Sequence, residues 1–271
     1  MTADRDAGPP VLVREDQGAH GLIAHVLLNR PAARNAITVA LARGLAEALA
    51  AAAQRARVVV IRGAGGSFCA GGDFAEVAAL RARGQDGLRE LFETFRAACE
   101  LIGRLPVPVV AAVEGYAMAG GFELVQSCDI AVARDDAVLA DNHLNIGMVP
   151  GGGGSQRLPR VTGAPRALGH ILTGDRLTGA QAAQWGVIYR SVPAGEFETA
   201  LSALTGQLAA HDAVALARAK KLVRTGLSLP LQAGLELETE TIIEHLTTDK
   251  ASAAGRFGRQ ASRGSEEWRS S

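Results

Sequence analysis

Short apolar runs that end in turn residues recur along the first two thirds of the chain. They are rich in valine, isoleucine and alanine, and their lengths match those of buried strands in a largely parallel sheet. The predicted strands are GLIAHVLLN at 21–29, RVVVIRG at 57–63, PVPVVAAVEG at 106–115, IAVA at 130–133 and AVLA at 137–140.

Longer segments between these runs carry apolar residues at helical spacing. Thr38 stands where it can cap a helix over residues 39–54, VALARGLAEALAAAAQ. A second helical stretch runs from about Phe74 to Arg104, with an interruption near Gly84 and Gly87. Strands and helices therefore alternate, which is typical of an α/β fold.

The pattern changes after Pro193, where the strand-like runs stop. Turn residues separate three helical segments there, at 197–211, 213–226 and 230–246. We predict an α/β core over residues 1–195 and a C-terminal helical region over residues 196–271.

Two glycine-rich loops follow predicted strands, AGGSFCAGGD at 64–73 and MAGGFE at 118–123. A dinucleotide fingerprint needs a third glycine where this chain has Phe68, so a Rossmann-type oxidoreductase is disfavoured. The run GGGGSQR at 151–157 lacks the lysine of a phosphate-binding P-loop, and Ser155 lacks the glycine of a nucleophile elbow. The glycines can simply form tight turns. Alternatively, two such loops can aim backbone N–H groups at one carbonyl oxygen, as an oxyanion hole does.

Composition narrows the classes of partner. The chain has 271 residues with 28 basic and 28 acidic side chains, so no excess charge draws it to nucleic acid or to an anionic membrane. No apolar run approaches the roughly 18 residues of a membrane span. The N-terminal MTADRDAGPP lacks the apolar segment of a secretory signal, and three separate cysteines indicate reduced thiols. We expect a cytoplasmic protein without nucleic-acid or membrane partners.

Several segments in a fixed order resemble the crotonase, or enoyl-CoA hydratase/isomerase, superfamily. They are LNRPAARNAI, GSFCAGGDFAEV, PVPVVAAVEGYAMAGGFELVQSCDIAVA, GMVPGGGGSQRLPRVTG, LTGDRLTGAQAAQWGVI and ARAKKLV. The resemblance implies a spiral of ββα units with a C-terminal helical trimerisation region. It also implies an acyl-CoA thioester substrate, no separate cofactor because CoA belongs to the substrate, and self-association as a homotrimer or a dimer of trimers.

The resemblance also assigns the two glycine loops. Members of this superfamily stabilise an enolate at the thioester carbonyl. By match of motif, the oxyanion-hole amides belong to Gly72, in CAGGD, and to Gly120, in MAGGFE.

Other positions match the substrate site of the family. Ala70 and the AARN loop around Arg34 match positions that hold the adenine-nucleotide end of CoA. We assign their neighbours Gly71 and Asp73 to the substrate site as well. Gly151 matches a backbone position that orients the water in hydratases.

Glu123 matches the first of two catalytic glutamates of hydratases, and the second falls twenty residues later, where this chain has His143. Water addition needs a base and an acid, and a neutral imidazole can act near neutral pH. His143 can instead line the pocket or bond Asp141, which leaves Glu123 alone. No H-E-x-x-H or other ligand cluster surrounds His143, so no metal is expected.

The first hypothesis is therefore an enoyl-CoA hydratase-like lyase that uses Glu123 and His143. Three alternatives stay open within the same resemblance. One is a Δ3-Δ2 enoyl-CoA isomerase that uses Glu123 alone, and another is a hydrolase of a β-dicarbonyl or thioester substrate. The third is a CoA-ester-binding protein without activity. The segment 75–91 is expected to shape the acyl pocket.

Overall fold

A computed structural model describes residues 8–248 of the chain. Residues 1–7 and 249–271, which include the end of the predicted C-terminal region, lie outside the described residues. The described part divides into two compact units, with the division between Ala210 and His211.

The strands of the first unit form two sheets. The strands are β1 (Val11–Gly18), β2 (Gly21–Leu28), β3 (Val58–Gly63), β4 (Val109–Val113), β5 (Tyr116–Met118), β6 (Ile130–Arg134), β7 (Val138–Ala140), β8 (Leu177–Thr178) and β9 (Arg190–Val192). The larger sheet has the order β1-β2-β3-β4-β6-β9, and all its pairs are parallel except β1 with β2. The smaller sheet has the order β5-β7-β8, with β5 and β7 parallel.

The helices alternate with these strands until β9 and then continue alone. They are α1 (Val39–Ala53), α2 (Phe74–Ala82), α3 (Gln85–Arg104), α4 (Gly120–Ser127), α5 (Gly154–Thr162), α6 (Ala164–Thr173), α7 (Gly179–Gln184), α8 (Phe197–Ala210), α9 (Ala213–Gly226) and α10 (Leu231–Thr248). Short 3-10 turns occur at Pro31–Ala33, Ala64–Gly66, His143–Ile146 and Ala194–Glu196. The predicted α/β class is confirmed, and Thr38 caps α1 by accepting a hydrogen bond from the Leu41 amide at 3.0 Å.

The core occupies both faces of the larger sheet because successive strand residues point to opposite sides. Val59 and Ile61 belong to the cluster that α1 and α3 cover, whereas Val58 and Val60 belong to a second cluster. The second cluster is completed by α8, whose buried apolar side chains are Phe197, Leu201, Leu204 and Ala209.

This packing explains why the first unit ends at residue 210 rather than at 195, the boundary predicted from the loss of strand pattern. Without α8, one face of β3 and β4 would be exposed. The second unit, described by itself, is the pair α9 and α10, in which Arg218 and Glu244 form an ion pair at 3.1 Å. Its trimerisation role stays a prediction.

Candidate active site

Helix α4 begins at an unusual backbone conformation. Its N-cap, Ala119, has φ 49° and ψ −117°, a region that costs a residue with a Cβ roughly 1–3 kcal/mol. The sharp turn after β5 brings Gly120, at the start of α4, against the other glycine loop: a Cβ on Gly120 would lie 3.8 Å from the Gly71 Cα.

The backbone amides of Gly72 and Gly120 are available to a ligand. Ile37 bonds to Gly71 O and Asp73 N, so the Gly72 N–H points away from that neighbour. Gly120 is the first residue of its helix, where N–H groups have no acceptor within the helix. Among the hydrogen bonds of residues 8–248, neither amide has a protein acceptor, and both residues line the same pocket.

Glu123 stands in the first turn of α4 and is 1% exposed. Its Oε1 accepts hydrogen bonds from the Gly152 and Gly154 amides, each at 2.8 Å. A Cβ at Gly152 would lie 2.7 Å from Glu123 Oε2, so the glycine run is what lets the loop backbone approach the carboxylate. Oε1 is fixed by the loop, which leaves Oε2 for chemistry.

His143 begins the 3-10 turn after β7 and presents its two ring nitrogens to two carboxylates. Nδ1 lies 2.6 Å from Asp141 Oδ1, and Nε2 lies 3.8 Å from Glu123 Oε2. The sequence alternatives for His143, a pocket-lining group or a partner of Asp141, are both realised. Neither excludes a proton-transfer role, because Nε2 faces the pocket carboxylate.

The electrostatics of the pair follow from burial. Burial raises the pKa of Glu123, although the Gly154 and Gly152 amides and His143 oppose the shift. For His143, burial alone lowers the pKa, but the hydrogen bond to Asp141 and the charges of Glu123 and Asp141 outweigh it and raise the pKa overall. Both groups are therefore tuned toward holding a proton, and they titrate as a coupled pair.

The pocket in front of this pair is mainly apolar on its remaining sides, with Asn142 as a further polar lining residue. The side chains that surround it come from α2, α3 and the segment after β7: Phe74, Val77, Leu91, Phe92, Phe95, Ile146 and Met148. Val77 and Leu91 come from the segment 75–91 that was expected to shape the acyl pocket, and this segment is helical apart from the turn at Arg83–Gly84. An apolar pocket with a few converging polar groups is the usual form of a small-molecule site.

The other predicted substrate residues fall into two groups. Ala70 lines the pocket. Arg34, Gly71, Asp73 and Gly151 are not among its lining residues.

The Asp73 side chain stabilises the local fold. It caps α2 by accepting from the Ala75 and Glu76 amides at 3.0 and 3.1 Å, and it pairs with Arg30 at 3.0 Å. Arg34 lies on the surface beside the same loop, with its guanidinium carbon 5.3 Å from the centre of the Tyr116 ring.

The hydrogen bonds to the Glu123 carboxylate come from neighbours of Gly151 rather than from Gly151 itself. Gly152 and Gly154, which donate to Glu123, were not singled out from the sequence, although the glycine run that contains them was. Asp141 was noted only as a possible partner of His143. The number of consecutive glycines gave no signal of which amides would reach the carboxylate.

Buried Asn35 was also missed. Its amide nitrogen donates to the Ala64 and Ser67 carbonyls at 2.9 and 2.8 Å, and its oxygen accepts from the Arg30 amide at 2.8 Å. The bonds to Ala64 and Ser67 tie the segment PAARN to the glycine-rich loop at 64–73. Asparagine is common in exposed turns, so the sequence PAARN does not indicate that this asparagine is buried.

Within the described residues, no group of three histidine, cysteine or acidic side chains is arranged to hold a metal ion. The helices between residues 8 and 248 also include none with the length and apolar character that a membrane crossing requires. The expectations of no metal, no cofactor and a cytoplasmic location stay predictions.

The same architecture occurs in solved structures of this fold class. An enoyl-CoA hydratase from Bacillus anthracis superposes with a TM-score of 0.85 at 29% identity, covering 93% of this chain and 96% of that one. A Thermobifida fusca YX protein solved in complex with acetoacetyl-CoA superposes with a TM-score of 0.81 at 29% identity, covering 91% and 98%. The fold is that of the crotonase superfamily, as the sequence resemblance implied.

Sequence comparison narrows the class to a family. A Rhodobacter capsulatus protein named as a probable enoyl-CoA hydratase is 36% identical over 216 residues, which are 80% of this chain and 83% of that protein. The family described as enoyl-CoA hydratase/isomerase matches residues 18–264. The chain belongs to that family, whose members are enzymes of CoA thioesters.

Proposed function

We propose that the protein hydrates a 2-enoyl-CoA thioester. The observation that carries this proposal is the convergence of Glu123 and His143, with Oε2 and Nε2 3.8 Å apart, on a pocket that also contains two unpaired backbone amides. Hydration needs a base for water, an acid for C2 and donors for the thioester oxygen. This pocket offers one group for each requirement.

The amides of Gly72 and Gly120 would bind the thioester oxygen. Charge builds on that oxygen as the enolate forms, and fixed donors at a helix N-terminus stabilise it without reorganisation. The apolar side chains from α2 and α3 would hold the acyl chain. The acetoacetyl-CoA complex of the Thermobifida fusca relative supports a CoA thioester as the ligand. CoA is part of the substrate, so the reaction requires no further cofactor.

Arg34 and Ala70 would hold the nucleotide end of CoA. Arg34 offers an exposed guanidinium, which suits a phosphate. The Ala70 amide is itself bonded to Arg34 O at 3.0 Å, so the two segments that carry these residues are fixed to each other.

Glu123 and His143 share one proton in the reactive state. The Glu123 carboxylate removes a proton from water, and the resulting hydroxide adds to C3 of the enoyl group. The imidazolium of His143 gives its Nε2 proton to C2. Glu123 then holds a proton and His143 has lost one, and exchange of one proton with solvent by each group restores the pair with one water added to the substrate.

Isomerisation between the Δ3 and Δ2 positions is the second candidate, because Glu123 alone can carry a proton between C2 and C4. Oε2 of Glu123 favours it: this oxygen is 3.8 Å from His143 Nε2, beyond hydrogen-bond distance, and is free to exchange a proton with substrate. Retained donors and a retained carboxylate weigh against a silent binding protein.

The test compares crotonyl-CoA hydration, 3-hexenoyl-CoA isomerisation and CoA-thiol release, with CoA-ester binding measured in parallel. We expect His143→Ala to lower hydration by about 10²-fold or more, the usual contribution of a general acid or base, and isomerisation much less. Glu123→Gln should severely lower both. A His143→Ala protein with full hydratase activity would contradict the proposed pair and leave Glu123 as the only chemical side chain. Thiol release without hydration would instead indicate a hydrolase.

A further inference from the structure

Asp141 is a buried carboxylate that the proposed reaction does not use. It is 0% exposed and stands between β7 and the 3-10 turn that carries His143. Its Oδ1 lies 2.6 Å from His143 Nδ1, at the short end of charge-assisted hydrogen bonds. Because the two residues are only two positions apart, the backbone of one short segment sets this geometry.

The contact fixes which ring nitrogen exchanges protons. An ionised carboxylate only accepts, so Nδ1 of His143 must carry a proton in both its neutral and its protonated forms. Proton exchange is therefore confined to Nε2, the nitrogen that faces Glu123. A histidine without this partner would distribute its neutral form over two tautomers.

Asp141 is itself held from the opposite side. Its backbone N–H donates to His170 Nε2 at 3.1 Å, and burial lowers the pKa of His170, which keeps that ring a neutral acceptor. The His170 ring packs edge-on against Phe122 and Trp185, at centroid distances of 5.6 and 5.8 Å. This backing ties the position of Asp141 to α4 and α6.

The second oxygen of Asp141 has no hydrogen-bond partner among the described residues. Gly154 leaves the adjacent space free, since a Cβ there would lie 2.7 Å from Asp141 Oδ2. The charged side chains that face His143 are Glu123 from α4 and Asp141 from its own segment, with neutral His170 of α6 behind Asp141. The compensating charge for Asp141 is therefore the imidazolium of His143.

We propose that Asp141 is a positioning residue that converts His143 into an acid able to replace a carboxylic acid at this place in the site. It holds the ring by Nδ1, directs Nε2 to the substrate pocket and stabilises the protonated form. The proposal rests on the proposed hydration, in which the Nε2 proton moves to C2 of the substrate.

The consequence for pH follows from the raised pKa of His143. A raised pKa keeps the imidazolium populated above its usual range, and activity falls as pH rises through the raised value. Glu123 must be ionised, and burial raises its pKa too, so activity also falls toward acid. The profile is a bell whose limbs belong to the coupled pair. Removing the Asp141 charge should move the alkaline limb toward acid.

The first experiment compares wild type with Asp141→Asn in crotonyl-CoA hydration across pH. We expect the alkaline limb of kcat to move down by about 1 to 3 pH units, the usual effect of losing one close opposite charge. KM should change little because Asp141 does not line the pocket. The NMR titration of the His143 ring should show the same shift without any substrate. An unmoved ring titration in a folded variant would overturn the inference even if kcat fell.

The second experiment places Asp141→Asn in a His143→Glu background. With a glutamate at position 143 the Asp141 charge becomes repulsive, so the added Asp141→Asn substitution should preserve or raise hydration there. A residue that merely supports the fold would be harmful in both backgrounds, and equal losses in both would overturn the inference. A wild type that binds CoA esters but does not hydrate them would refute the proposed function instead, while the ring titration would still decide the role of Asp141.

Discussion

At the scale of single residues, the burial of Glu123 links its ionisation to the stability of the fold. Its pKa is raised above the ordinary value of 4.5, mainly by burial. The folded chain therefore binds this proton more tightly than the unfolded chain does. Between pH 4.5 and the raised folded value, the contribution of Glu123 to the free energy of unfolding falls as pH rises.

Glu123→Gln should accordingly separate stability from activity. The amide oxygen can still accept from Gly152 and Gly154, while the variant has no charge to bury. We expect hydration to fall by about 10²-fold or more. The thermal midpoint should equal that of wild type near pH 4 and match or exceed it at neutral pH. Scanning calorimetry at both pH values checks this, with the exposed Glu93→Gln as control; a lower midpoint at neutral pH would contradict it.

The limits of sequence reasoning are clearest at single residues. Glu123 and His143 could be identified because a local motif and a fixed spacing mark them. Gly152, Gly154 and His170 could not, since each acts through a contact across 29 or 31 positions in the chain. The positive φ of Ala119 was equally unreadable, because alanine gives no sign of that conformation.

At the scale of elements, glycines of the two glycine-rich loops serve different purposes. A Cβ on Gly72 would meet only Val77 Cγ2, at an ordinary 3.8 Å, so the chain has room for it. A Cβ on Gly121 would overlap the Cys69 carbonyl, which belongs to the backbone of the facing loop. The absence of a Cβ at Gly72 leaves open space at the pocket, whereas its absence at Gly121 lets two segments of backbone touch.

Gly72→Ala should therefore lower activity without lowering stability, whereas Gly121→Ala should lower stability. The Gly72 variant should keep its thermal midpoint but lose up to about 10²-fold in kcat, the usual cost of one oxyanion donor, because the new Cβ would hold the thioester oxygen away from an N–H group that is itself still present. The Gly121 variant should lose several degrees of thermal stability, in keeping with about 1–3 kcal/mol for overpacking. Melting curves and hydration rates on both proteins test the pair. Normal kcat in Gly72→Ala would remove Gly72 from the oxyanion hole.

Elements with strong patterns were predictable from sequence and those with mixed patterns were not. The buried runs of β3 and β4 were identified because strands covered on both faces are continuously apolar. Strand β1 was missed because its centre, Arg14–Gln17, is polar and exposed. Helix α5 was not predicted because Pro159 and the preceding glycines are signals against a helix.

At the scale of the whole molecule, the exposed apolar side chains of the second unit bear on self-association. Leu231, Leu235, Ile242 and Leu246 recur at helical spacing along α10 and are 78%, 49%, 47% and 48% exposed. Such a row on a surface helix is typical of a protein interface. It agrees with the predicted homotrimer or dimer of trimers, which the single chain does not test.

Light scattering should give three or six times the chain mass of 28.0 kDa at micromolar concentration. Leu231→Glu combined with Leu235→Glu should shift the protein to smaller species, because the interface would then bury unpaired charge. Thr247→Glu combined with Thr248→Glu, which adds the same two charges on other faces of α10, is the matched control. A stable monomer in the wild type would refute the predicted assembly.

Backbone amides make up much of the candidate site, and this affects how it tolerates change. Gly72 and Gly120 line the pocket, where their N–H groups are proposed to bind the thioester oxygen, and the N–H groups of Gly152 and Gly154 hold the carboxylate. No side chain can be deleted at these four positions, so only added atoms do harm. In a library of all single substitutions, we expect these four glycines to tolerate as few replacements as Glu123 does. Even alanine should lower activity at each of them. Substitutions that reshape the acyl pocket should therefore be tolerated best at the side chains of α2 and α3.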